Sequence, residues 1–183
     1  MIRSPIQLTW LATAILLVST LPSRATVTDV ATNGFTLTIT TQIMASPDKV
    51  YAALITPANW WSSEHTFSGD AKNFHADTKA GGCWCETLPH GGSALHLTVV
   101  YLDPGKALRL RGALGPFQGL GADGALTWKL EPAADGTRLY LTYTLGGYNK
   151  DGFAELSKAA DGVLTIQVDR LKKFIETGAP APH

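Results

Sequence analysis

The chain has little charge, little sulfur and no recognisable catalytic signature. Of its 183 residues 16% are charged, and 15 Lys and Arg balance 15 Asp and Glu. So neutral a chain offers no electrostatic attraction to nucleic acid or to an anionic membrane, and neither is an expected partner. It shows no Ser/His/Asp order, no phosphate-cradling glycine loop, no paired-carboxylate motif and no internal repeat, so no cofactor is expected either. The one long apolar run, 8–21, is shorter than the roughly 20 residues a spanning helix needs. Arg3 precedes it and Pro22-Ser23-Arg24-Ala25 follows, the layout of a secretory signal peptide. Residues 1–25 are therefore expected to be removed on export, leaving 13 basic against 15 acidic residues, a net charge of −2. The mature protein is expected in the periplasm or outside the cell, without a stable membrane span. A short lead over 26–34, one domain over 35–178 and a disordered tail over 179–183 complete the expected organisation.

What the chain does have is pattern. Residues 35–44 alternate, with Phe35, Leu37, Ile39 and Ile43 on one face and threonines and Gln42 on the other, as in a half-buried strand. Ser46-Pro47 and Thr56-Pro57 each place a capping residue before a first-turn proline and predict two short helices. Strands are then expected near 73–79, 82–88, 93–102, 107–114, 124–131 and 137–145, separated by Gly-, Pro- and Asp-rich turns. Phe153, Leu156, Ala160, Val163, Leu164, Leu171, Phe174 and Ile175 recur at helical spacing, and Gly178 and Pro180 mark the end of that helix. The sum is an α+β fold of the helix-grip kind. A curved antiparallel sheet of about seven strands wraps a long C-terminal helix, and two short helices follow the first strand.

Four stretches carry a resemblance: Ala45-Ser46-Pro47-Asp48-Lys49-Val50-Tyr51 with Trp60 following, Gly81-Gly82-Cys83-Trp84-Cys85-Glu86, Asp103-Pro104-Gly105 with Leu108-Arg109-Leu110, and Gly136-Thr137-Arg138-Leu139. Through them, residues 35–177 resemble the START/polyketide-cyclase/birch-allergen (SRPBCC) superfamily, and within it bacterial members of the heat-shock ATPase activator-like group. The shared motifs are caps, turns and strand starts, so the resemblance implies the fold. It also implies a cavity between sheet and helix for a lipid, sterol, hormone or polyketide, some members being cyclases or hydrolases.

Strand parity nominates the cavity's walls. Leu108, Leu110, Leu126, Trp128, Leu130, Leu139, Leu141, Tyr143 and Leu145 should face the helix, because their alternates are polar. In the strand at 93–102 the inward set would be Leu95, Leu97, Val99 and Tyr101. A turn from Leu88 to Ser93 would set Trp84 opposite Leu97, Cys85 opposite His96 and Glu86 opposite Leu95, sending Trp84 and Glu86 inward. The candidate ligand-binding residues are then Trp84, Glu86, Tyr101, Phe117, Trp128, Tyr143 and Gln167. Core filling is the competing account of the aromatics, and a bond to nearby backbone that of Gln167. Glu86 is the candidate catalytic residue: a carboxylate desolvated by Trp84 and Leu95 would have a raised pKa and could act as general acid or base. Pairing with an arginine, or a place at the rim, is its structural alternative. The apolar, Gly- and Pro-rich stretch 112–124 reads either as a lid or as a loop packed onto the helix through Leu114 and Phe117.

Cys83 and Cys85 are the only cysteines. Alternate residues of an extended strand lie about 6.5–7 Å apart, at the limit of disulfide geometry. A disulfide, two packed thiols, or a metal site of Cys83, Cys85 and His96 joined by His75 are three readings of the pair. The functional expectation is an exported protein that binds a hydrophobic small molecule between sheet and helix. A cyclase- or hydrolase-type enzyme acting through Glu86, and a metal- or redox-linked module acting through Cys83 and Cys85, are the alternatives. Nothing in the sequence decides whether there is turnover.

Overall fold

The computed structural model describes residues 24–182. Residues 1–23 of the expected signal peptide, and the final histidine, lie outside the described residues. Among the described residues no helix is long and apolar enough to cross a membrane.

One open antiparallel sheet and one long helix make up the domain. The strands are β1 (Arg24–Ala31), β2 (Gly34–Ile43), β3 (Phe74–Ala76), β4 (Cys83–Thr87), β5 (Ser93–Asp103), β6 (Ala107–Arg111), β7 (Gly121–Ala133) and β8 (Gly136–Tyr148). They lie in the order β1-β2-β8-β7-β6-β5-β4-β3. β3 to β8 are thus a meander, and the β1–β2 hairpin adds to it along β8. Between β2 and β3 run helix α1 (Pro47–Leu54) and three single 3-10 turns; α2 (Ala154–Thr177) closes the fold.

Local chemistry sets the element ends. The Ser46 hydroxyl accepts from the Lys49 N–H and Pro47 occupies the first turn of α1, the arrangement a capped start requires. Thr56-Pro57 gives only a 3-10 turn, Pro57–Asn59, because the Thr56 hydroxyl donates backwards to the Ala53 carbonyl and caps nothing ahead. α2 ends where Gly178 takes φ +82° and returns its N–H to the Phe174 carbonyl, a left-handed cap that favours glycine. The tail beyond is tied back, with Arg170 Nη1 donating to the Ala181 carbonyl.

The sheet has eight strands where about seven were expected. The lead over 26–34 contributes most of the extra one: its backbone pairs with β2 from Thr38 down to Gly34, and Arg24 and Ala25 extend the pairing to Thr40. β1 is an edge strand: over 26–31 the side chains are exposed except Val27, which is half-buried and packed against the core. It therefore lacks the alternation that would announce it.

Inward parity holds through β6, β7 and β8. Leu108, Leu110, Leu126, Trp128, Leu139 and Tyr143 are all at most 1% exposed. It fails at both ends of β5, where Leu95 and Tyr101 are 57% and 47% exposed. The reason is two bulges. Trp84 pairs with Leu97 but Cys85 with Leu95, so His96 is an extra residue; Val99 pairs with Leu110 but Tyr101 with Arg109, so Val100 is another. Each extra residue reverses the alternation beyond it. His96 is thereby turned into the interior beside Leu97, and Tyr101 is turned outward to lie under the Arg109 guanidinium, 5.7 Å from its ring centre.

Candidate functional site

Between α2, the inner face of the sheet and two loop segments lies a cavity of about 260 Å³. One wall is the segment from Trp61 to Phe67, which follows the proline turn. The opposite wall is a 3-10 segment, Gly115–Gly119, with Leu114 leading into it. Ala160, Val163 and Leu164 of α2 form the floor, and Phe74, His96 and Tyr143 reach it from the sheet. The stretch 112–124 is thus both wall and packed loop: Phe117 is buried and tilts against Phe35 with ring centres 6.0 Å apart.

The loop walls are held by buried polar side chains, and this accounts for most polar residues nominated from sequence. Glu86 is fully buried, and its carboxylate accepts the Phe67 N–H at 3.0 Å and the Ser68 N–H. His96 Nε2 lies 3.0 Å from Glu86 Oε2. Burial by itself would push the Glu86 pKa up, but the Ser68 hydroxyl, the Phe67 and Ser68 amides and His96 outweigh it, so the group lies below its ordinary 4.5. The expected raised pKa is therefore corrected: Leu95 points to solvent, and Glu86 meets donors instead. Glu86 is an ionised clamp on the loop and does not line the cavity. An ionised carboxylate accepts only, so the proton of the shared bond sits on His96 Nε2. The imidazole stacks on Phe74 (centres 4.8 Å, planes 11° apart) and Phe67 (5.3 Å, 20°).

From the helix side Gln167, also fully buried, accepts the Ser62 N–H at 2.8 Å, and its amide nitrogen lies 2.9 Å from His65 Nδ1. Arg170 donates to the Trp60 carbonyl at 2.9 Å and the Trp61 carbonyl at 3.4 Å. The backbone-bonding alternative for Gln167 is the one the structure shows. On the far wall the Tyr143 hydroxyl accepts the Leu114 N–H at 3.2 Å and faces the Gly112 carbonyl at 3.5 Å. Buried polar groups are normally satisfied; here their partners are the loops' own backbone together with His96 and His65, and the cavity is lined mainly by hydrocarbon.

Burial pushes the Tyr143 hydroxyl from 10.0 to about 12, the Leu114 amide opposing and Asp123 adding to the rise. A raised folded-state pKa means that this part of the stability is intact below pH 10 and disappears as pH climbs from 10 towards 12. The two-unit shift corresponds to about 2–3 kcal/mol at most. Alkaline titration followed by tyrosinate absorbance should show a late step near pH 12 that Tyr143→Phe lacks.

Of the other nominated residues, Phe117 and Tyr143 line the cavity, whereas Trp84 and Trp128 pack behind it in a cluster with Trp60, at 6.5 and 6.1 Å between ring centres. Tyr101 is on the outer face. Sequence reasoning missed His96 as an inward residue, and missed Trp61, His65 and Phe67. These last three sit in an aperiodic segment, which offers no parity to read. The proposed metal set changes as well: His96 is inside with Glu86, while His75, Cys83 and Cys85 stay together outside. Cys83 and Cys85 are joined by a disulfide, with alpha carbons 5.3 Å apart. That is closer than the spacing of alternate residues in an extended strand and within the ordinary range for a disulfide.

Three solved structures place this geometry among known folds. A conserved protein of unknown function from Enterococcus faecalis aligns at 16% identity and TM-score 0.59, over 87% of this chain and 81% of its own. CalU16 from Micromonospora echinospora aligns at 17% and 0.55, over 87% of each chain. DynU16, a protein in the dynemicin biosynthetic locus, aligns at 21% and 0.54, over 81% of this chain and 49% of its own. Curated proteins offer no significant sequence match. The family described as polyketide cyclase / dehydrase and lipid transport matches residues 34–176. With that match spanning most of the sequence, on an open antiparallel sheet closed by one long helix, the chain belongs to this family of the SRPBCC superfamily.

Proposed function

We propose that the protein is an exported carrier of an apolar small molecule, held in the cavity between α2 and the two loop walls. The observation that carries this reading is the use of the polar groups. Glu86, Gln167 and Tyr143 bond to backbone of the walls, and the remaining bonds of Glu86 and Gln167 go to His96 and His65, so selection falls to shape and apolar contact. A volume of about 260 Å³ suits a molecule of one or two rings or a short acyl chain, below the roughly 300–1,000 Å³ of drug-sized pockets. A two-chain lipid would not fit without movement of a wall. The family's description and the biosynthetic locus of DynU16 favour a polyketide or aromatic compound. The arrangement of the first 25 residues supports export.

His96 favours a second reading, as an enzyme of the cyclase or hydrolase kind. It lines the cavity and is oriented by an ionised carboxylate, the relation a general base has to its orienting group. Glu86 then positions His96 and takes no direct part.

Native mass spectrometry of protein purified from the periplasm, beside the denatured sample, tests both export and carriage. The expected result is a chain cleaved after Ala25 with one apolar molecule bound. A full-length chain left in the cytoplasm would refute export, and a bare mass after mild isolation would shift the weight to the enzyme reading.

A further inference from the structure

On the face of the sheet away from the cavity, three donor side chains meet. β3 pairs with β4 so that His75 lies opposite Cys85, while Cys83 lies two residues along on the same face. One ligand atom from each of His75, Cys83 and Cys85 falls within 4.8 Å of the other two, and His75 Nε2 is 3.7 Å from Cys83 Sγ. His75 is exposed on β3, a three-residue strand at the edge of the sheet, and both cysteines are half-exposed on the neighbouring β4. A reductant and an ion can therefore reach the group without unfolding the domain.

We propose that reduction of the Cys83–Cys85 disulfide turns this cluster into a binding site for a soft monovalent cation, copper(I), held by two thiolates and the His75 imidazole. A dithiol reductant supplies two electrons and two protons and leaves as its own disulfide. The two resulting thiols lose their protons as the metal binds. Thiolate sulfur and imidazole suit both zinc and copper(I). Three donors complete the trigonal coordination of copper(I), whereas a structural zinc site calls for four. In the oxidised protein the sulfurs are bonded to each other and offer no thiolate, so the site exists only in the reduced state. The bulge that places His96 inside is what makes the donor set His75 and not His96. The site lies apart from the cavity and does not depend on the ligand proposed for it.

The test is an anaerobic titration of untagged mature protein with copper(I) against bicinchoninate, in oxidised form and after dithiothreitol treatment and desalting. The expected result is one copper(I) per reduced chain and none per oxidised chain. His75→Gln, a change at an exposed side chain, should weaken binding at least about tenfold without moving the unfolding midpoint. Cys83→Ser should abolish it. Equal affinity of the His75→Gln variant and the parent, or equal binding by oxidised and reduced protein, would overturn the site. A reduced chain that takes zinc(II) and refuses copper(I) would overturn the choice of ion.

Discussion

A Glu86→Gln variant should unfold with a stability about 2–4 kcal/mol below that of the parent, the cost of weakening charge-assisted hydrogen bonds inside a structure. Two backbone amides, Phe67 and Ser68, and the His96 imidazole converge on this one carboxylate. Glutamine keeps the shape but replaces one acceptor oxygen with an amide nitrogen, which must then face a donor. Chemical denaturation measures the loss. Hydrogen exchange at the Phe67 and Ser68 amides shows whether it is local, since a released clamp should strip protection there while the β7–β8 ladder keeps its own. A variant within 0.5 kcal/mol of the parent, with both amides still protected, would mean that Glu86 does not hold the loop.

The second large effect concerns the cavity itself. Ala160 stands on its α2 floor and is 5% exposed, so a phenylalanine there occupies space the ligand needs. Ala160→Phe should reduce affinity for a neutral fluorescent probe, N-phenyl-1-naphthylamine, at least about tenfold, a loss of about 1.4 kcal/mol or more. Overpacking can cost about 1–3 kcal/mol of stability. Val163→Phe, at a half-buried lining position next to Leu164 in α2, offers the same blockade with less crowding. Probe affinity unchanged in both folded variants would place binding elsewhere on the protein.

How far the sequence spoke for itself depended on the regularity of each segment. β6 to β8 are unbroken ladders, so alternation alone identified Leu108, Leu126, Trp128 and Tyr143 as interior. β5 carries two extra residues that no periodicity reveals, and both ends of its inward set were lost with them. Trp84 and Glu86 were still placed correctly inside, since the first bulge lies on the partner strand and leaves β4 parity intact. The role of Glu86 was another matter. A buried carboxylate has a raised or lowered pKa according to what donates to it, and its two backbone donors lie 18 and 19 residues away in a loop without pattern. Gln167 meets a partner 105 residues away. Stripe position showed that these groups were buried; only the folded chain shows that they hold walls.

An amide NMR titration of the mature protein with N-phenyl-1-naphthylamine tests whether these walls enclose a site for an apolar molecule. The predicted result is saturable, one-to-one binding, with shifts concentrated in Trp61 to Phe67, Leu114 to Phe117 and Ala160 to Leu164. Shifts confined to the outer face around Leu95, Val100 and Tyr101, or none at saturating probe, would contradict it.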